Sequence, residues 1–81
     1  MTGFTVPDLI GYVGVTAVLV AYAGIQTGRI GPDTLVYPVL NAAGAFTILV
    51  SLAFHPNMPS IVIEIAWLAI SLFGIYRYFL K

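Results

Sequence analysis

The chain has 81 residues, of which 60% are hydrophobic and 7% charged, with three acidic and three basic side chains and no net charge. A soluble domain carries about 25% charged residues, and a domain this short buries too little of its surface to do without them. The composition therefore excludes an ordinary soluble fold, and the lack of a basic surplus excludes a nucleic-acid partner held by counterion release. Lipid is the solvent that remains.

Charges punctuate the sequence. None falls between Asp8 and Arg29, between Asp33 and Glu64, or between Glu64 and Arg77. A helix needs about 20 mostly apolar residues to cross the hydrocarbon core. The spacing predicts three spans at about 9–26, 34–54 and 59–79, in a single all-α membrane domain over 1–81. Strands are not open to such segments, because a lipid-exposed sheet edge leaves backbone groups unpaired. The start, Met1 to Asp8, lacks the positive region of a secretory signal, so the first span is expected to be retained.

In the first span Gly14, Ala17, Ala21 and Gly24 form a stripe of small residues, which lets helix backbones approach closely. Tyr12, Thr16, Tyr22 and Gln26 are its polar members. The first break, Thr27-Gly28-Arg29-Ile30-Gly31-Pro32-Asp33, pairs a helix-ending Gly with a Pro near the next start. The second span repeats Tyr37, Asn41, Gly44, Ile48 and Ser51 on one face. Asn41 lies near its middle and must find partners there, either a neighbouring helix or a solute. Pro38 removes a backbone donor and is a candidate hinge, or an inert residue if the helix starts close by. In the second break, His55-Pro56-Asn57-Met58-Pro59-Ser60, Asn57 is a candidate N-cap and Pro59 suits the first helical turn.

The third span carries Ser60, Glu64, Trp67, Ser71, Gly74 and Tyr78 on one stripe, with Ile61, Ile65, Leu68, Leu72 and Ile75 as the expected lipid face. Glu64 sits about five residues in, ~7 Å below the end of the span. An ionisable side chain at that depth is a functional candidate, and a carboxyl that gains and loses a proton suits proton coupling or solute binding. The competing reading is a protonated carboxyl that glues two helices together. Matching depths across antiparallel spans puts Glu64 level with Tyr12 and with Thr47 or Ser51. It puts Asn41 level with Tyr22 and with Ser71 or Gly74. The expected solute or proton path is therefore Glu64, Asn41, Tyr12, Trp67 and Ser71, with Gly14, Ala17, Ala21, Gly24, Gly44 and Gly74 as packing positions.

Arg29, Arg77 and Lys81, every Lys and Arg in the chain, fall on one side of a three-span layout. The positive-inside rule then places the N-terminus outside and the C-terminus in the cytoplasm. Tyr76, Tyr78 and Phe79 would form an inner aromatic belt, with Phe4 and Phe54 at the outer face. Catalysis is not expected. There is no Cys, His55 is the single histidine, and no second acid joins Glu64 within the spans. No metal and no cofactor is expected.

Several stretches resemble a known family. Gln26-Thr27-Gly28-Arg29, Leu40-Asn41-Ala42-Ala43-Gly44, Pro59-Ser60 and Glu64-x-x-Trp67-x-x-x-Ser71-x-x-Gly74-x-x-Arg77 are similar to a family of small three-span bacterial membrane proteins loosely labelled permeases. The likeness runs from about residue 10 to 78 and implies a multi-pass protein of the bacterial inner membrane. A weaker likeness is to the SemiSWEET half-transporters of the PQ-loop class, three-helix chains that pair around a central sugar path. It rests on Gly11-Tyr12 and on the separation of Gly44 from Pro59, and it implies that Glu64 stands where that class has a solute-binding Asn. Ile48 stands in place of that class's Trp, and Gly24-Ile25-Gln26 in place of its Pro-Gln hinge. The expectation is a homodimeric half-transporter for a small polar solute. The alternative is an accessory subunit of a larger membrane complex, with no transport activity of its own.

Overall fold

A computed structural model describes residues 5–80. It has three helices: α1 (Val6–Gln26), α2 (Val36–Phe54) and α3 (Met58–Leu80). At 1.5 Å per residue they are about 31, 28 and 34 Å long, against a hydrocarbon core of about 30 Å. All three are long and apolar enough to cross a membrane. No strand occurs among the described residues. Phe4 and Lys81, assigned above to the two membrane faces, lie outside them.

The helix ends follow local chemistry. α1 begins at Val6, three residues before the charge pattern suggested, because Asp8 belongs to a capping box. The Thr5 amide donates to Asp8 Oδ2 at 3.0 Å, and the Asp8 amide donates to Thr5 Oγ1 at 3.3 Å. Two amides that no helical carbonyl reaches are thus satisfied. α1 ends at Gln26, and two residues on Gly28, at φ +77°, turns the chain into the left-handed region. The Gly28 amide donates to Ile25 O at 3.2 Å and the Ile30 amide to Gly24 O at 2.9 Å. The Ile30 side chain thereby folds back over Gly24. α2 starts at Val36, two residues later than expected, because the Thr34 hydroxyl donates to Gly31 O at 2.7 Å and extends the turn. Asn57 caps α3, its Oδ1 accepting from the Ser60 amide at 3.0 Å.

α2 is the middle helix: α1 and α3 each pack on it, and not on one another. The α1–α2 crossing is built on two glycines. A methyl added at Gly14 would meet Gly44 O at 2.7 Å, and one added at Gly44 would meet Gly14 O at 2.8 Å. The two backbones touch directly, as they do where small residues mediate helix association in lipid and Cα–H groups face carbonyls. Val18 and Ile48 close over this contact, and Ala21 and Ala45 are fully buried beside it. Ala17 and Gly24 are half-buried. At one end of the pair the Ser51 hydroxyl donates to Pro7 O at 2.7 Å. The α2–α3 contact is of another kind, a proline and an amide. Pro38 Cβ lies 3.3 Å from where a Gly74 methyl would stand, and Trp67 Nε1 donates to Asn41 Oδ1 at 3.4 Å.

The interior is therefore small and polar while the large apolar side chains point outward, Leu19, Phe46, Ile70 and Phe73 among them. That is the inverse of a water-soluble core and suits a lipid solvent. Two expectations need correction. The level placement of Tyr12 with Glu64 brings no contact, since α1 and α3 do not pack on one another. Ile61, Leu68 and Ile75 are half-buried rather than wholly on the outer face, because α3 turns the Ser71 side of its surface to α2.

Candidate functional site

A groove of about 510 Å³ opens between the first half of α2 and the second half of α3. The small residues that let α3 sit beside Pro38 leave a gap that larger ones would fill. Asn41 and Ser71, both buried, form its depth, and the exposed Asp33, Thr34 and Arg77 lie toward its mouth, with Trp67 on its wall. Tyr37, Phe73 and Tyr78 supply aromatic walls. Loop residues before α2 and the last turns of α3 line the same groove, so its mouth lies at the end of the molecule shared by the first loop and the C-terminal turns. A volume of this size, apolar with a few convergent polar groups, is typical of small-molecule sites.

The depth of the groove carries the chemistry. Asn41 is 4% exposed and Ser71 is 6% exposed. Asn41 Oδ1 accepts the long bond from Trp67, which fixes the amide so that its Nδ2 hydrogens point elsewhere. Neither Asn41 Nδ2 nor Ser71 Oγ has a hydrogen-bond partner among the described residues, yet neither atom is sealed from outside. Both residues line the groove. Two buried side chains thus present unused hydrogen-bonding groups to one opening. Buried polar groups are nearly always paired, which sets these two apart.

Several threonine hydroxyls are spent within their own helix. Thr16 donates to Tyr12 O at 2.8 Å and Thr47 to Ala43 O at 2.7 Å, each within its own helix. Such back-bonding satisfies the hydroxyl and removes it from interhelical chemistry. Ser51 is occupied by Pro7. Ser71, unlike Thr16, Thr47 and Ser51, holds neither kind of bond among the described residues.

Of the expected path residues, the structure brings Asn41, Trp67 and Ser71 together. Tyr12 is 62% exposed on α1 at the other end, beside a second, shallower opening of about 200 Å³ with Asp8 and Ser51. Glu64 is half-buried one turn before Trp67 and outside the groove lining. No hydrogen bond holds its carboxyl among the described residues. Pro38 is the third residue of α2, where a helix amide has no intrahelical partner to lose. Its place is a wall against Gly74. Asp33, Thr34 and Arg77 were not singled out as site residues. The spacing Trp67, Ser71, Gly74, Arg77 does put Arg77 on the groove side of α3, so that part was available to a helical-face argument.

Fold and site together define a small protein with three membrane-span-like helices and a small-molecule-sized groove between the second and third. The chain belongs to an uncharacterised protein family, whose model matches residues 7–81. No curated protein and no solved structure matches it. The likeness to permeases and to SemiSWEET half-transporters therefore rests on the quoted residues alone.

Proposed function

We propose that the protein is a membrane solute carrier, acting as a homodimer, whose α2–α3 groove binds a small polar solute. The observation that carries this reading is the pair of buried, unpartnered hydrogen-bonding groups, Asn41 Nδ2 and Ser71 Oγ, in one opening. In lipid such groups are costly unless something polar reaches them. α1 and α2 form the rigid half, locked by backbone contact at Gly14 and Gly44. α3 is held by lighter contacts and is the element that moves. Glu64 is the next polar side chain along α3 beyond Trp67, toward the far face, and takes the solute or a coupling proton when α3 shifts. A second copy supplies the cover that three helices in a row do not give themselves, and a twofold pair is the commonest closed assembly. The protein performs no covalent chemistry in this reading. Its groove mouth, which carries Arg77, lies on the cytoplasmic side of a bacterial inner membrane by the positive-inside rule.

The test is uptake into proteoliposomes of a panel of labelled amino acids, organic acids and hexoses, with the mass of the purified protein measured in mild detergent. Flux of at least one solute above empty liposomes, lost in Asn41→Leu, supports the carrier. A panel without flux, together with stable co-purification of larger subunits, would replace it with the accessory-subunit reading, in which Glu64 pairs with the partner.

A further inference from the structure

The groove has a charge at its mouth that the packing does not use. Arg77 lies on α3 six residues beyond Ser71, about 9 Å along the helix. Its guanidinium stands 6.0 Å from the centroid of the Phe73 ring, a cation–π contact that leaves its hydrogen-bond donors open. No carboxylate pairs with Arg77 among the described residues; Asp33 lines the same mouth and is itself engaged in an interaction. Arg77 thus brings a cation with no carboxylate bonded to it among the described residues, and a planar donor fork, to an opening walled by Tyr37, Trp67 and Tyr78.

The far end of the groove has matching polarity. Asn41 Nδ2 is a donor, and the Ser71 hydroxyl can donate as well as accept. Both ends therefore seek oxygen acceptors, and the end at Arg77 seeks a negative one. Between them the lining is apolar and aromatic.

We propose that the α2–α3 groove selects organic anions: a carboxylate or phosphate on Arg77 and, about 9 Å deeper, a hydroxyl or carbonyl oxygen on Asn41 and Ser71, joined by an apolar body. The proposal rests on the groove being a solute site and adds its charge selectivity and polarity order. The same chemistry is offered by a soluble organic acid and by the headgroup of an anionic lipid.

Trp67 is the single tryptophan and lines the groove, so its emission reports binding. The experiment titrates the full chain in phosphatidylcholine nanodiscs with three probes of one length: 6-hydroxyhexanoate, 6-hydroxyhexanamide and 6-aminohexan-1-ol. The anion is expected to bind about tenfold more tightly than the amide, with the amine weaker still. Arg77→Gln should erase that preference, and Arg77→Lys should keep part of it, since it holds the charge and loses the fork. Ser71→Ala should weaken 6-hydroxyhexanoate and leave hexanoate, which lacks the distal oxygen, unchanged. This readout remains if Arg77→Gln folds poorly. Adding phosphatidylglycerol to the discs separates the sources. Competition with 6-hydroxyhexanoate that depends on Arg77 supports the anion site with lipid as its occupant, and no competition supports it with a soluble acid. Equal binding of amide and anion, or an unchanged preference in Arg77→Gln, overturns anion selectivity while leaving the groove a solute site. No saturable change with any probe overturns both.

Discussion

Replacing Gly14 or Gly44 by Ala tests the backbone contact that holds α1 to α2. At Gly14 the new methyl would stand 2.7 Å from Gly44 O and 3.0 Å from the Ile48 amide nitrogen. Ordinary C···O contacts across helix interfaces are about 3.3–3.6 Å, so the helices must part by roughly half an ångström. A gap of that size forfeits about a quarter of each dispersion contact of 0.1–0.2 kcal/mol, or about 1 kcal/mol over a few tens of atom pairs. Residual strain of the kind seen on overpacking adds about 1–3 kcal/mol. The better helix propensity of Ala returns up to about 1 kcal/mol. The net expectation is a loss of about 1–3 kcal/mol for Gly14→Ala, and a similar loss for Gly44→Ala, whose methyl meets Gly14 O at 2.8 Å. The two clashes are reciprocal, so parting the helices for one relieves much of the other. The double variant should then fall short of the summed losses by about 1 kcal/mol. Unfolding in mixed micelles by SDS titration, followed by circular dichroism, gives all four corners of the cycle. Ala69→Val, at an exposed position on α3, is the control and should stay within about 0.5 kcal/mol. Single variants as stable as that control, or strictly additive losses, would refute the direct backbone contact.

Three further changes probe other parts of the account. Gly28→Ala places a β-carbon at φ +77° with no atom in its way, so its cost is backbone strain alone, about 1–2 kcal/mol in the same titration, and Gly28→Asn should cost less. Trp67→Phe removes the donor to Asn41 and should cost about 0.6 kcal/mol, as interhelical hydrogen bonds in membranes do; a loss above about 2 kcal/mol would mean that the indole carries packing beyond that bond. Glu64→Gln should leave solute affinity in the groove within about twofold while abolishing flux, because Glu64 lies outside the groove lining; an affinity change of about tenfold would put its carboxyl inside the site.

Much of this architecture is legible in the sequence because charge is so scarce. Asp8, Arg29, Asp33 and Arg77 bracket the apolar stretches, and only helices can carry such stretches through lipid. Asn57 and Pro59 mark the start of α3 by the same chemistry the structure uses. Asp8 misleads because a charge that ends a hydropathy window can still be the third residue of a helix, held in a capping box. Periodicity also gives each helix a face without naming its neighbour. The stripes on α1 and α3 left their partners open, and Gly14–Gly44 and Asn41–Trp67 both converge on α2. With α1 and α3 apart, Tyr12 does not meet Glu64, although it does share the second opening with Ser51. The groove itself depends on where α3 leaves a gap beside Pro38. No pattern along a single chain encodes that gap, and only the Trp67, Ser71, Gly74, Arg77 spacing hints at it.

The account stands on a wet opening that leads from the Arg77 end of the molecule down to two buried polar side chains. The chain has no native cysteine, so single cysteines report local access without background. Thiol labelling of Ser71→Cys and Leu72→Cys in intact and inverted vesicles, using a reagent that cannot cross the bilayer, measures it directly. Ser71→Cys should react from the Arg77 side alone and be protected by bound solute. Leu72→Cys, one residue along and facing outward, should stay inert. Equal silence at both positions, or reaction of Ser71→Cys from the opposite side, would contradict the groove as a solute site.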